Sequence, residues 1–127
     1  MRPLPVLAAA IAAALLTACT AATPPVKPVP APDQVPQDCP LTVTFASYAM
    51  GIDRETHDAV ERLLTGVPYD RHPWGREGEV TLCVHPRTAA EKDVLLGKIQ
   101  SLFPSRPRGP LSVSTSEGRA FRAPAGE

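Results

Sequence analysis

Residues 20–37 read TAATPPVKPVPAPDQVPQ, with six prolines and almost no large apolar side chain. Each proline fixes its φ at about −65° and lacks an amide donor, so neither a helix nor an interior strand can form there. What remains is extended polyproline II backbone, at about 3.1 Å per residue a reach of roughly 50 Å. The stretch divides the chain into a short apolar segment before it and some 80 residues after it, enough for one modest core and too few for two domains. Residues 38–117 are the expected domain, and 118–127, GRAFRAPAGE, lack periodicity and are expected to be a flexible tail.

The apolar run from Val6 to Leu16 is too short for a permanent span: as a helix it would reach roughly 16 Å, about half a bilayer core. Arg2 and the amino terminus precede it and small residues close it, the layout of a secretory signal. It ends at Leu16-Thr17-Ala18-Cys19, which resembles the lipobox of bacterial lipoprotein precursors. The resemblance covers these four residues and the upstream run. It implies removal of residues 1–18, with Cys19 as the first mature residue, its sulfur carrying a diacylglycerol and its amine a further chain such as palmitate. Two or three acyl chains, at about 0.8 kcal/mol per buried CH₂, anchor stably where one does not. Thr20, where an Asp would imply retention at the inner membrane, implies the periplasmic face of the outer membrane if the envelope is Gram-negative. Residues 19–37 are then a lipidated cysteine and a tether. The alternative is ordinary cleavage near TACTAA, leaving Cys19 as an odd thiol.

Within 38–117 the periodicity switches in order. LTVTFASY (41–48) alternates Leu41, Val43 and Phe45 with Thr42, Thr44 and Ala46, the period of a half-buried strand. Asp53 is placed to cap a helix, with Ile52 before it as a staple, and Ala59, Val60, Leu63, Leu64 and Val67 recur at helical spacing around the stop at Gly66. VPYDRHPWGREGEVTLCVH (67–85) predicts a hairpin turning at 75–78; Pro68 and Pro73 confine its first arm to an edge, and Val80, Leu82 and Val84 alternate along the second. Thr88-Ala89-Ala90-Glu91 is a capping box, and Val94, Leu95, Ile99, Leu102 and Phe103 form the expected buried stripe of a second helix stopped by Pro104. PLSVSTS (110–116) reads as a last strand.

The order β-α-β-β-α-β predicts an α+β fold, a small ferredoxin-like sandwich with one antiparallel sheet and both helices on the face addressed by residues 41, 43, 45, 80, 82 and 84. If the first hairpin arm is loop, the alternative is a three-stranded β-α-β-α-β layer.

Export places the domain in an oxidising compartment, which makes Cys39 and Cys83 candidates for a disulfide. Closing a loop of about 45 residues stabilises by roughly 4 kcal/mol in the chain-entropy model. Taking strands 41–48 and 79–85 as parallel neighbours separates Cys39 from Cys83 by roughly 10 Å, beyond the limit of about 7 Å between bridged Cα atoms. The pairing then requires the segment before Leu41 to fold back, and it stays open on sequence alone.

Cys83 and His85 share a strand face and suit zinc or copper, but no Cys-x-x-Cys or His-x-x-x-His supplies the remaining ligands, so no metal or other cofactor is expected. His57 and His72 have no nucleophile partner in sequence, and no Gly-x-Ser-x-Gly, His-Glu-x-x-His or phosphate-cradling loop occurs, so no catalytic residue is assigned. The string HPWGREGE (72–79) carries the single tryptophan, Trp74, beside Arg76 at the hairpin tip; both are candidate partner-binding residues, because Trp and Arg dominate binding hot spots. The bland alternative folds Trp74 back over the sheet edge while Arg76, Glu77 and Glu79 solvate the turn.

Thirteen Lys and Arg balance 13 Asp and Glu, and the basic bias of Arg106, Arg108, Arg119 and Arg122 is too thin for nucleic-acid binding. The expectation is a lipid-anchored envelope protein, at the outer membrane facing the periplasm in a Gram-negative cell. Its domain is read as a non-enzymatic binding or assembly module whose partner is another envelope protein or a cell-wall polymer. Its contact surface would be the open sheet face (Thr42, Thr44, Ala46, Thr81, Cys83) or the hairpin tip. The rival reading is a metal-handling or small enzyme domain using His57, His72, His85 or Cys83.

Overall fold

The computed structural model describes Pro36 and residues 38–126. The expected leader, Cys19 and the tether apart from Pro36 lie outside the described residues. The elements are β1 (Leu41–Phe45), α1 (Arg54–Leu63), β2 (Tyr69–Pro73), β3 (Val80–Val84), α2 (Ala89–Leu102), β4 (Leu111–Thr115) and β5 (Ala120–Ala123). They form an α+β fold with one five-stranded sheet in the order β2-β3-β1-β4-β5, antiparallel throughout. Among the described residues no helix is long and apolar enough to cross a membrane.

The alternation in the sequence sets which face is covered. Leu41, Val43, Phe45, Val80, Leu82, Val84, Leu111 and Val113 pack with Ile52, Val60 and Leu64 on the α1 side and Leu95 and Ile99 of α2 in one core. Both helices therefore lie on a single face, and the intervening positions of each strand point to the helix-free side. Asp53 caps α1, its Oδ1 accepting from Thr56 N at 3.0 Å, while Thr88 caps α2 through Glu91 N at 3.0 Å.

Three expectations change. The first concerns strand direction: β1 and β3 are antiparallel, with Leu41 opposite Val84 and Thr42 opposite Cys83, so the start of one strand adjoins the end of the other. The backbone before Leu41 also turns back, Cys39 N donating to Pro36 O at 2.9 Å. Cys39 and Cys83 form a disulfide with Cα atoms 5.7 Å apart, so the distance objection falls.

The second concerns α2. Leu95 and Ile99 are buried and Phe103 is half-buried, but Val94 and Leu102 are exposed, because the sheet covers a narrower stripe of the helix than its apolar residues span.

The third lies at 118–127, expected as tail, where Ala120–Ala123 form β5 against β4. A turn at 116–119 returns the chain, Thr115 N donating to Arg119 O at 2.8 Å, and Phe121 stacks on Phe103 with centroids 6.1 Å apart. A single large apolar residue carries no period, so the turn chemistry Ser116-Glu117-Gly118 was the available signal.

Candidate functional site

The helix-free face is a lattice of small hydroxyls. Cross-strand pairing sets Thr42 beside Ser114 and Thr44 between Ser112 and Thr81. Thr44 and Thr81 hydroxyls approach to 3.4 Å. Thr42, Thr44, Ser112 and Ser114 are half-buried, whereas Thr81 and Cys83 are fully buried although no helix covers them. Two contacts from this same face account for part of that burial: the disulfide from Cys39 lies on Cys83, and the Trp74 indole Nε1 donates to Thr81 Oγ1 at 3.1 Å.

Trp74 thus folds over the sheet, while Arg76 stands exposed at the hairpin tip; the two candidate residues are not joined in one cluster. The turn is held from inside by Glu79, whose Oε2 accepts from Glu77 N at 2.7 Å. Beside Thr81, on the β4–β5 side of the same face, Thr44, Ala46, Ser112, Arg122 and Pro124 line a shallow depression of about 200 Å³. Ser112 and Ser114 were legible as the alternate positions of LSVST, but Arg122 was not, because its strand carried no pattern.

The histidines are dispersed. His85, exposed, places Nε2 2.9 Å from Asp70 Oδ2 on the neighbouring strand. Cys83 is consumed by the disulfide, so the proposed Cys83–His85 ligand pair does not exist in this state. His72 pairs in register with Thr81, and its Nε2 is buried with no hydrogen-bond partner among the described residues.

His57 is the one that sequence reasoning placed least well. It is buried on α1 with its ring edge-on to Phe45, centroids 5.0 Å apart. His57, Val60 and Leu64 share an i, i+3, i+7 face, a spacing that could have shown this. Its Nδ1 lies 3.0 Å from Asp58 Oδ1, and its Nε2 lies 3.5 Å from Glu61 Oε1. The hydrogen bond to His57 holds the exposed Asp58 carboxyl below its ordinary range. Glu61 also accepts from Arg71 Nη1 at 2.5 Å and from the Tyr69 hydroxyl at 3.4 Å; burial first, and then the Glu61 charge, push the Tyr69 phenol up. One ligand atom each from His57, Asp58 and Glu61 lies within 4.8 Å of the others, a spacing that a metal could bridge, but the Arg71 guanidinium already neutralises Glu61.

No protein-family model, curated protein or solved structure matches this chain.

Proposed function

We propose that this chain is an envelope lipoprotein, anchored through acyl chains on Cys19 and set off from the membrane by the proline-rich tether. Its domain is a non-enzymatic binding or assembly module with a ferredoxin-like β-α-β-β-α-β core and an added edge strand. The strand order β4-β1-β3-β2 with both helices on one face supports that fold assignment. The lipobox Leu16-Thr17-Ala18-Cys19 supports the anchor.

The observation that carries the binding role is the helix-free face. A five-stranded sheet with helices on one side leaves its other side to solvent or to a partner, and here that side presents hydroxyls, a depression and an indole. The disulfide fits an exported chain.

The test is a photoreactive residue at Ser112 in the full chain in its native membrane, with the intact mass of the extracted protein measured alongside. A chain beginning at Cys19 with acyl mass, and one discrete cross-linked adduct, are expected. An unacylated chain overturns the anchor, and a featureless ladder or no adduct overturns the contact face.

A second reading, a metal-handling domain, draws on the His57, Asp58 and Glu61 spacing alone. Stoichiometric zinc uptake abolished by His57→Ala would favour it over the binding module.

A further inference from the structure

Helix α2 carries more apolar surface than the sheet can cover. Leu95 and Ile99 point inward, but Val94 is 54% exposed and Leu102 37% exposed. Leu102 lies with Lys98 and Ser101 on one wall of a groove of about 490 Å³ between the helices, and Ala59, Arg62 and Leu63 of α1 form the other wall. Val94 stands one turn before Lys98, so it extends the same flank. Past Leu102 the groove continues into a depression of about 250 Å³ whose lining includes the carboxylates of Asp53 and Glu55, so the cationic part of the groove ends at Leu102.

The walls of this groove carry two cations, Arg62 and Lys98, and no carboxylate. Arg71, Lys92 and Arg119 each hold a carboxylate, on Glu61, Glu117 and Asp93. Among the described residues Arg62 and Lys98 form no salt bridge, although they face the groove from opposite walls. Asp58, one turn before Arg62, is hydrogen-bonded by His57 and also feels the Arg62 charge, without a salt bridge between them.

We propose that this groove docks an acidic amphipathic helical segment of a protein partner. The partner's apolar side chains fill the space between α1 and α2, and its carboxylates meet Arg62 and Lys98, the helix-in-groove mode of recognition. The proposal rests on the reading of the domain as a binding module and names a contact surface on the side opposite the hydroxyl face.

Two other occupants fit worse. A two-fold pair of this chain would bring the same patch against itself, setting Arg62 and Lys98 near their own copies. A lipid surface takes an apolar face that protrudes, whereas here Ala59, Leu63 and Leu102 line a recess between two helices.

The experiment uses the full mature chain extracted from membranes and a labelled synthetic helix of about 18 residues, with leucines at i, i+3, i+4 and i+7 and glutamates on both flanks. A lysine-flanked counterpart, anionic vesicles and self-association serve as comparisons. Fluorescence anisotropy should show binding of the glutamate peptide, weakened at least about tenfold by Arg62→Glu with Lys98→Glu, which should now favour the lysine peptide. Val94→Asp should weaken binding as well without lowering the melting temperature, because that side chain is already exposed. No binding of the glutamate peptide, equal binding of the lysine peptide, or an affinity indifferent to these substitutions overturns the proposal. So does groove-dependent binding to vesicles or to a second copy in place of the peptide. Failure here with a discrete Ser112 adduct intact removes the groove alone, whereas loss of the adduct removes the module reading.

Discussion

The Cα atoms of Cys39 and Cys83 lie 5.7 Å apart, joined by a disulfide that ties the residue two before β1 to the penultimate residue of β3 across the helix-free face. The bridge closes a separation of 44 residues, which limits the unfolded chain enough to stabilise the domain by about 4 kcal/mol in the chain-entropy model. Replacing both cysteines by serine should cost that order of stability in denaturant titration. The native wild-type domain should resist thiol alkylation until reduced.

Asp53 links two distant segments. Its Oδ1 caps α1, and its Oδ2 accepts from Arg108 N at 3.0 Å in the loop before β4. Burial alone would raise its pKa, but the amide hydrogen bonds from Thr56 and Arg108 outweigh that and hold it below the ordinary value of 3.8. A depressed folded pKa contributes stability that is fully present above the unfolded value and is lost as the pH falls through the folded one. Acid unfolding of the wild type should therefore include a component below pH 3.8 that Asp53→Asn removes. Asp53→Ala should cost about 1–2 kcal/mol at neutral pH, measured by urea unfolding.

The indole of Trp74 donates to a hydroxyl that is itself buried, so truncation exposes Thr81 and strips apolar cover from β3. Trp74→Ala should destabilise by about 2–3 kcal/mol, and Trp74→Phe, which keeps the ring and loses the donor, by about 1 kcal/mol. A Trp74→Ala protein of unchanged melting temperature and unchanged partner capture would show that the residue neither packs nor recognises.

Gly109 is needed for contact rather than for its torsions. A Cβ at that position would collide with the backbone carbonyl of Ala46, which cannot swing aside because Ala46 N donates to Pro110 O at 2.9 Å. Gly109→Ala should cost about 2–3 kcal/mol by thermal melting. Gly97→Ala, on α2 with nothing near its Cβ position, should be neutral or stabilising by up to about 1 kcal/mol.

The two helix caps, the alternation of β1 and β3, and the α+β class were legible in the sequence, because each depends on neighbours within a few residues. Asp53 and Thr88 signal their helices whatever those helices pack on, and Leu41, Val43 and Phe45 share a face by the pleat alone. The lipobox-like Leu16-Thr17-Ala18-Cys19 and the proline stretch are also local patterns, and apart from Pro36 they lie outside the described residues.

What depended on packing was the partner of each surface. The direction of β1 against β3 placed Cys39 beside Cys83, and no spacing along the chain encodes that neighbour relation. The sheet's width decided that Val94 and Leu102 stay exposed while His57 goes under, since a helix buries only the stripe that another element meets. Ala120–Ala123 became a strand because β4 offered a free edge and Phe103 a ring to pack on, although their own side chains carry no period. Local patterns are written in consecutive residues, whereas long-range contacts arise from where whole elements settle, and both candidate binding surfaces of this domain are made by the second process.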